Sequence, residues 1–168
     1  MSIEKQPVLQ HRDDAVVAEM TGGSIAVRLR ASQTGGRLGM IENVLPAGFA
    51  NLPLHVHPGF DEAFYVLEGQ LAFRVGDEVI TATAGTLVYA PGAVPHTFAE
   101  LTGLAPVRFL LWVTPGGHET YFEALAAASN ASPTGYPSAD QLSALMAEHA
   151  IQIVGGTNPA EPIPVQST

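Results

Sequence analysis

The stretch His55-Val56-His57-Pro58-Gly59-Phe60-Asp61-Glu62-Ala63-Phe64-Tyr65-Val66-Leu67-Glu68-Gly69 decides how the rest of this chain is read. Side chains alternate faces along a β-strand, so His55 and His57 point the same way and can grip one ion. Glu62 lies five residues beyond His57, on the wrong face of a straight strand. Pro58-Gly59 supplies a turn that resets the direction, and the carboxylate rejoins the imidazoles from the next strand. A third imidazole, His96, follows Pro91-Gly92-Ala93-Val94-Pro95 on a separate strand, with Phe98 on the same face. Three imidazoles and a carboxylate suit a divalent transition metal ion, and donor type alone does not choose among Mn, Fe, Co, Ni, Cu and Zn. His-x-His by itself also describes core histidines that only hydrogen-bond. The conjunction with Glu62 and His96 is what points to an ion, and four donors from three strands imply a barrel closing around them.

Outward from this stretch, short apolar runs alternate with turn signals. Ile25, Val27 and Leu29 alternate with Ala26, Arg28 and Arg30, which predicts a strand with one solvated face, broken by Gly35-Gly36. Leu38 to Leu45 is the next strand, ended by Pro46-Ala47-Gly48. Leu71, Phe73 and Val75 share one face of a strand that turns at Gly76-Asp77, a pair suited to a tight hairpin, and Val79 to Thr83 returns. Thr86 to Ala90 and His96 to Ala99 flank the second Pro-Gly turn, while Val107 to Val113 is apolar enough to be buried on both faces. Many short strands with turns between them predict an all-β fold, an antiparallel jelly-roll barrel.

The arrangement resembles the cupin superfamily. Its first motif is met by Gly48, His55-Val56-His57, Glu62 and Gly69, and its second by Gly85, Pro91 and His96. Ala93 stands where the second motif has a glycine and Glu100 where it has an asparagine; neither position is a metal ligand in that family. More narrowly, residues 55–69 resemble the small bacterial single-cupin proteins grouped with quercetin dioxygenases. The resemblance implies a double-stranded β-helix whose one metal ion is held by His55, His57, Glu62 and His96, with Glu62 as both ligand and general base. It implies incorporation of dioxygen into a small aromatic or enolic substrate.

Composition bounds the alternatives. The chain has 168 residues, 46% of them hydrophobic, which suits one domain with a buried core. A formal net charge of −9 with seven scattered Lys and Arg argues against nucleic acid as a partner. No cysteine is present, so a thiolate site is excluded. The first fifteen residues lack the apolar run of a signal peptide, and no stretch approaches a membrane span, so a cytoplasmic location without membrane partners is the expectation. Charged residues are only 14% of the chain, and an apolar edge would be covered by a second copy in a homodimer.

After Pro115 the pattern becomes helical. Tyr121, Phe122 and Leu125 recur at helical spacing, and Ser138 is placed to cap a second short helix carrying Leu142, Leu145 and Met146. His118, Glu119 and His149 have no partners at ligand spacing and read as surface residues. The expected organisation is an N-terminal arm over 1–18, the barrel over 19–116, a helical appendage over 117–156 and a disordered tail over 157–168. Phe64, Phe73, Tyr89, Phe98, Phe109 and Trp112 are the candidates to line a pocket for a small-molecule substrate, and each also reads as an ordinary core aromatic. Three functions fit: a dioxygenase, which the detailed match favours; a metal-dependent isomerase, lyase or polyketide cyclase; and a cupin that binds a small molecule without changing it.

Overall fold

The computed structural model describes residues 7–15, 17–20, 23–49, 52–100 and 102–156. The tail expected over 157–168 and the start of the arm lie outside these residues. After a 3-10 turn at Arg12–Asp14, the strands are β1 (Val17–Met20), β2 (Gly23–Leu29), β3 (Gly39–Leu45), β4 (His55–Val56), β5 (Asp61–Glu68), β6 (Gln70–Val75), β7 (Glu78–Thr83), β8 (Leu87–Ala90), β9 (His96–Glu100), β10 (Val107–Thr114) and β11 (Gln152–Ile153). Helices α1 (Ala31–Thr34), α2 (Glu119–Ala131) and α3 (Ala139–Glu148) complete the fold. One antiparallel sheet runs β1-β2-β3-β10-β5-β8 and the other β11-β4-β9-β6-β7, the two layers of a jelly roll.

Alternation along each strand fixes which side chains meet between the sheets. On β5, Glu62, Phe64 and Val66 are buried, and on β10 Val107, Phe109, Leu111 and Val113 are buried. Arg108, Leu110 and Trp112 are only half-buried. The expectation that Val107 to Val113 is buried on both faces is therefore corrected: no layer covers the outer face of β10. That face carries ions instead, with Arg28 and Arg108 both pairing with Glu42 at 2.8 and 3.2 Å. Inside, Phe64 and Phe109 of one sheet interlock with Phe73 and Phe98 of the other at centroid separations of 5.0 to 5.6 Å. Offset and edge-to-face contacts at this spacing are favourable beyond the area they bury. These four rings join the layers.

Local signals shape the connections. β6 and β7 pair from Gln70↔Thr83 to Val75↔Glu78, leaving Gly76-Asp77 as the loop, with Gly76 at φ 59°. A positive φ there is what a two-residue hairpin requires and what glycine supplies without strain. Ser138 caps α3: its hydroxyl accepts from the Gln141 N–H while the Gln141 side chain accepts from the Ser138 N–H, a reciprocal capping box. Tyr121, Leu125 and Ala126 of α2 and Leu142 and Met146 of α3 join the core between the sheets. The region expected to be purely helical also contributes β11, whose Gln152 and Ile153 pair with Val56 and His55. No helix among the described residues is long and apolar enough to cross a membrane.

Candidate metal centre

Three strands and two Pro-Gly turns assemble the centre. His55 opens β4 and pairs across the sheet with His96, the first residue of β9. His57 follows β4 and enters the turn at Pro58-Gly59, after which β5 brings Glu62 inward. The two turns lock together: the His57 N–H donates to the Gly92 carbonyl at 2.8 Å, and the Gly92 N–H donates to Asp61 at 3.0 Å. A side chain at Gly92 would overlap the carbonyl oxygens of Phe60 and His57 and lie 2.8 Å from His57 Nδ1, so only glycine permits this approach. Glu100, in place of the motif's asparagine, also ties loops together. Its carboxylate accepts from the N–H groups of Gly48, Thr102 and Gly103 at 2.9, 2.6 and 2.6 Å.

His55, His57, Glu62 and His96 are all buried, and one ligand atom from each lies within 4.8 Å of all the others. The Nδ1 atoms of His55, His57 and His96 sit 2.8 Å from the carbonyl oxygens of Pro53, Phe60 and Val94. A carbonyl can only accept, so each Nδ1 carries a proton, and a ring that is neutral keeps its lone pair on Nε2. Nε2 of His57 and His96 are 2.9 Å apart, and each is 3.2 Å from Glu62 Oε2. With the rings neutral, acceptors face acceptors at this range, and a cation among them, a proton or a metal ion, relieves the repulsion. Two donor atoms at right angles about one ion, each roughly 2.1 Å from it, lie roughly 3.0 Å apart. The donor set and its spacing therefore fit a divalent metal ion, and the cluster could hold one.

His55, His57 and Glu62 are shifted in different directions. Burial, seconded by the neighbouring His96, pushes His55 down to about 3, so its imidazole stays neutral. Burial alone would raise Glu62, yet hydrogen bonds from His57 and His96 hold its carboxyl well below the usual range and keep it anionic. His57 moves the other way: burial opposes its charge, but the Glu62 carboxylate prevails and raises it. Glu62 is thus a fixed negative charge that draws positive charge toward the cluster.

A cavity opens beside Glu62 and His55, walled by Phe64, Phe98 and Phe109 and covered by side chains of α2 and α3. Its free space amounts to about 50 Å³. Of the six aromatic residues, Phe64, Phe98 and Phe109 border this cavity, and Phe73, Tyr89 and Trp112 lie elsewhere. Phe73 packs behind Phe64 and Phe98 rather than in the wall. Tyr89 is 53% exposed, because Ala90 and Val88 take the inward parity of β8, and its hydroxyl donates to Asp61 at 2.7 Å. Trp112 lies on the outer face of β10 for the same reason of parity.

His118 and Glu119, expected at the surface, are both buried. Glu119 accepts from the N–H groups of Ala31 and Gly117 at 2.7 and 2.9 Å, tying α1 to the start of α2. The His118 ring lies between Phe60 and Tyr121, at 4.2 and 5.0 Å, and lines the cavity. Burial pushes its pKa down to about 4, so it faces the cavity as a neutral ring. His149 is half-buried against Tyr121. Asn43 on β3 is a further cavity residue that the sequence reading passed over. The signal was available, since Asn43 falls at the buried parity of Ile41 and Leu45.

Residues 42–114 match the family described as Cupin domain. The fold is that of the cupins. An uncharacterised protein of Methanocaldococcus jannaschii is 25% identical over 99 residues, covering 59% of this chain and 72% of that protein. Among solved structures, an RmlC-like cupin from Shewanella frigidimarina matches with a TM-score of 0.55 at 14% identity, over 68% of this chain and 96% of the other. The polyketide cyclase RemF from Streptomyces resistomycificus matches with a TM-score of 0.53 at 20% identity, over 65% and 80%. At such identities the likeness carries the cupin architecture and not the reaction. None of these three singles out the quercetin dioxygenases.

Proposed function

We propose that the protein is a metal-dependent dioxygenase acting on a small aromatic or enolic molecule, with its ion held by His55, His57, Glu62 and His96. The observation that carries this reading is the convergence of three imidazoles and an anionic carboxylate at the edge of an aromatic-walled cavity. When bound, a divalent ion of the Mn to Zn series supplies Lewis acidity toward a substrate oxygen and lowers the pKa of the hydroxyl it meets. Glu62 is the base: it is ionised, it borders the cavity, and it takes the proton of a substrate hydroxyl brought within hydrogen-bond reach. Phe64, Phe98 and Phe109 receive a flat apolar body and exclude water from around it. Space for about four water molecules restricts the substrate to a compact one, or requires the cover of α2 and α3 to shift on entry.

The preference for dioxygen chemistry rests on the likeness of residues 55–69 to the quercetin dioxygenase group. The match to a polyketide cyclase supports a second reading, in which the same residues serve a cyclase, isomerase or lyase without oxygen. Metal analysis of untreated protein, joined to an oxygen-electrode screen of flavonols and catechols, separates them. One ion per chain and oxygen uptake are expected. Conversion of substrate under anaerobic conditions would select the second reading, and metal-replete protein that retains no ion would overturn both. A homodimer is part of the proposal, because Val79 on edge strand β7 and Leu87 and Tyr89 on edge strand β8 are exposed. A monomer mass by light scattering would count against it.

A further inference from the structure

Asn43 is 3% exposed, and its Nδ2 has no hydrogen-bond partner among the described residues. Its cross-strand neighbours are Ile25 on β2 and Phe109 on β10, both buried and apolar. Buried amides are almost always paired, and one left unpaired weakens the fold unless something outside the chain completes it. Leucine at this position would match its neighbours and fill the same space. The amide instead stands in the wall of the cavity that Glu62 and His55 border.

Its distance from the metal centre can be read from β10, which pairs with both flanking strands. Phe109 stands opposite Asn43, and Val113 stands opposite Glu62. Four residues of strand separate the two levels, about 13 Å along the strand direction. Between them run Phe64 and Phe109, without a polar side chain from β5 or β10. The cavity thus has an anionic, metal-competent end, an aromatic middle and an amide donor at the level of Asn43, with the phenols of Tyr121 and Tyr136 also in its wall.

We propose that Asn43 is a specificity-determining residue, whose amide donates to an acceptor oxygen on the end of the substrate remote from the metal. The substrate class is a compact, flat, apolar molecule with a hydroxyl at one end and a carbonyl at the other. This inference rests on the reading of the cavity as the substrate site. It does not depend on whether the reaction consumes dioxygen.

The test uses two probes that share a phenol hydroxyl and differ only at the opposite end: 4-hydroxybenzaldehyde, which carries an acceptor there, and 4-methylphenol, which does not. Affinities of both for the purified protein are measured by calorimetry, alongside the thermal midpoint without probe. Wild type is expected to bind the aldehyde about tenfold more tightly, the range of one hydrogen bond made in a buried site. Asn43→Leu is expected to lose that preference, bind 4-methylphenol within about twofold of wild type, and unfold at the same or a higher temperature. Asn43→Val, suited to a strand, serves if the leucine variant does not fold. A wild type that binds both probes equally, or neither, overturns the inference. So does a variant that loses affinity for both probes alike, since that marks a residue of the fold only. Metal content, measured on the same samples, reports separately on the metal centre: its loss from wild type would sink the proposed function rather than the role of Asn43.

Discussion

At one end of the cavity, three imidazoles each commit one nitrogen to a backbone carbonyl and turn the other toward Glu62. Across its middle, phenylalanine rings interlock from two sheets through ring contacts alone, without a hydrogen bond. The first region is specified by hydrogen bonds to turns, so its geometry depends on backbone that lies outside the cluster. The second is specified by volume and parity, so its geometry depends on what fills the space. Damage to the first should change what the protein holds, and damage to the second how firmly it stays folded.

The largest effect is expected from His96→Ala. Removing one imidazole leaves Glu62 and His57 with a gap among their acceptors, so metal content of the purified variant should fall from one ion per chain to near none, and any oxygen uptake should vanish with it. Circular dichroism should still show a β fold, because apolar burial across both sheets remains. Oxygen uptake at the wild-type rate in a metal-free variant would break the assignment.

Phe109→Ala probes the other region. Truncating a fully buried ring that touches Phe64 and Phe98 is expected to cost about 3–5 kcal/mol in denaturant unfolding. Metal content measured below the unfolding transition should be unchanged. A variant that loses the ion while still folded would show that the two regions are not separable.

Gly92→Ala sharpens the comparison, since it removes no ligand and crowds only the backbone and ring of His57. The added methyl displaces the backbone that orients His57, and apparent metal affinity should fall about 10–100-fold, the usual penalty for disturbing a ligand's supporting contact. Titration with a chromophoric competitor measures it.

The smallest effect concerns Glu100. Its carboxyl is held at about 2 instead of 4.5: burial would raise it, but hydrogen bonds from Thr102, Gly48 and Gly103 prevail. A depressed carboxyl stabilises the fold above its ordinary value and loses that contribution as pH falls through the folded one. Wild type should therefore lose thermal stability between pH 4.5 and 2 more steeply than Glu100→Gln. Parallel profiles would show that the loop contacts do not depend on charge.

The comparison also explains what could be read in advance. His55, His57, Glu62 and His96 were legible because turn chemistry is local: Pro58-Gly59 and Pro91-Gly92 announce themselves. The Gly76-Asp77 hairpin and the Ser138 cap were legible for the same reason. The cavity wall was not, because Leu110 and Trp112 are as apolar as Phe109 and Leu111, and composition cannot choose between two apolar parities. Tyr89 failed similarly, for its direction depends on the register between β8 and β5, where Ala90 rather than Tyr89 meets Glu62. His118 and Glu119 were misjudged because their burial comes from packing against α1, Phe60 and Tyr121, and β11 because a two-residue strand has no periodicity of its own.

That short strand has a consequence in time. The strand bearing His55 has β9 on one side and β11 on the other, and β11 emerges from synthesis about a hundred residues after it. Until then, β4 presents one bare edge, although all four candidate donors have already been made. The neighbourhood of the first candidate ligand is therefore finished by a segment that follows the barrel, and β4 is paired on both edges only after β11 has been made.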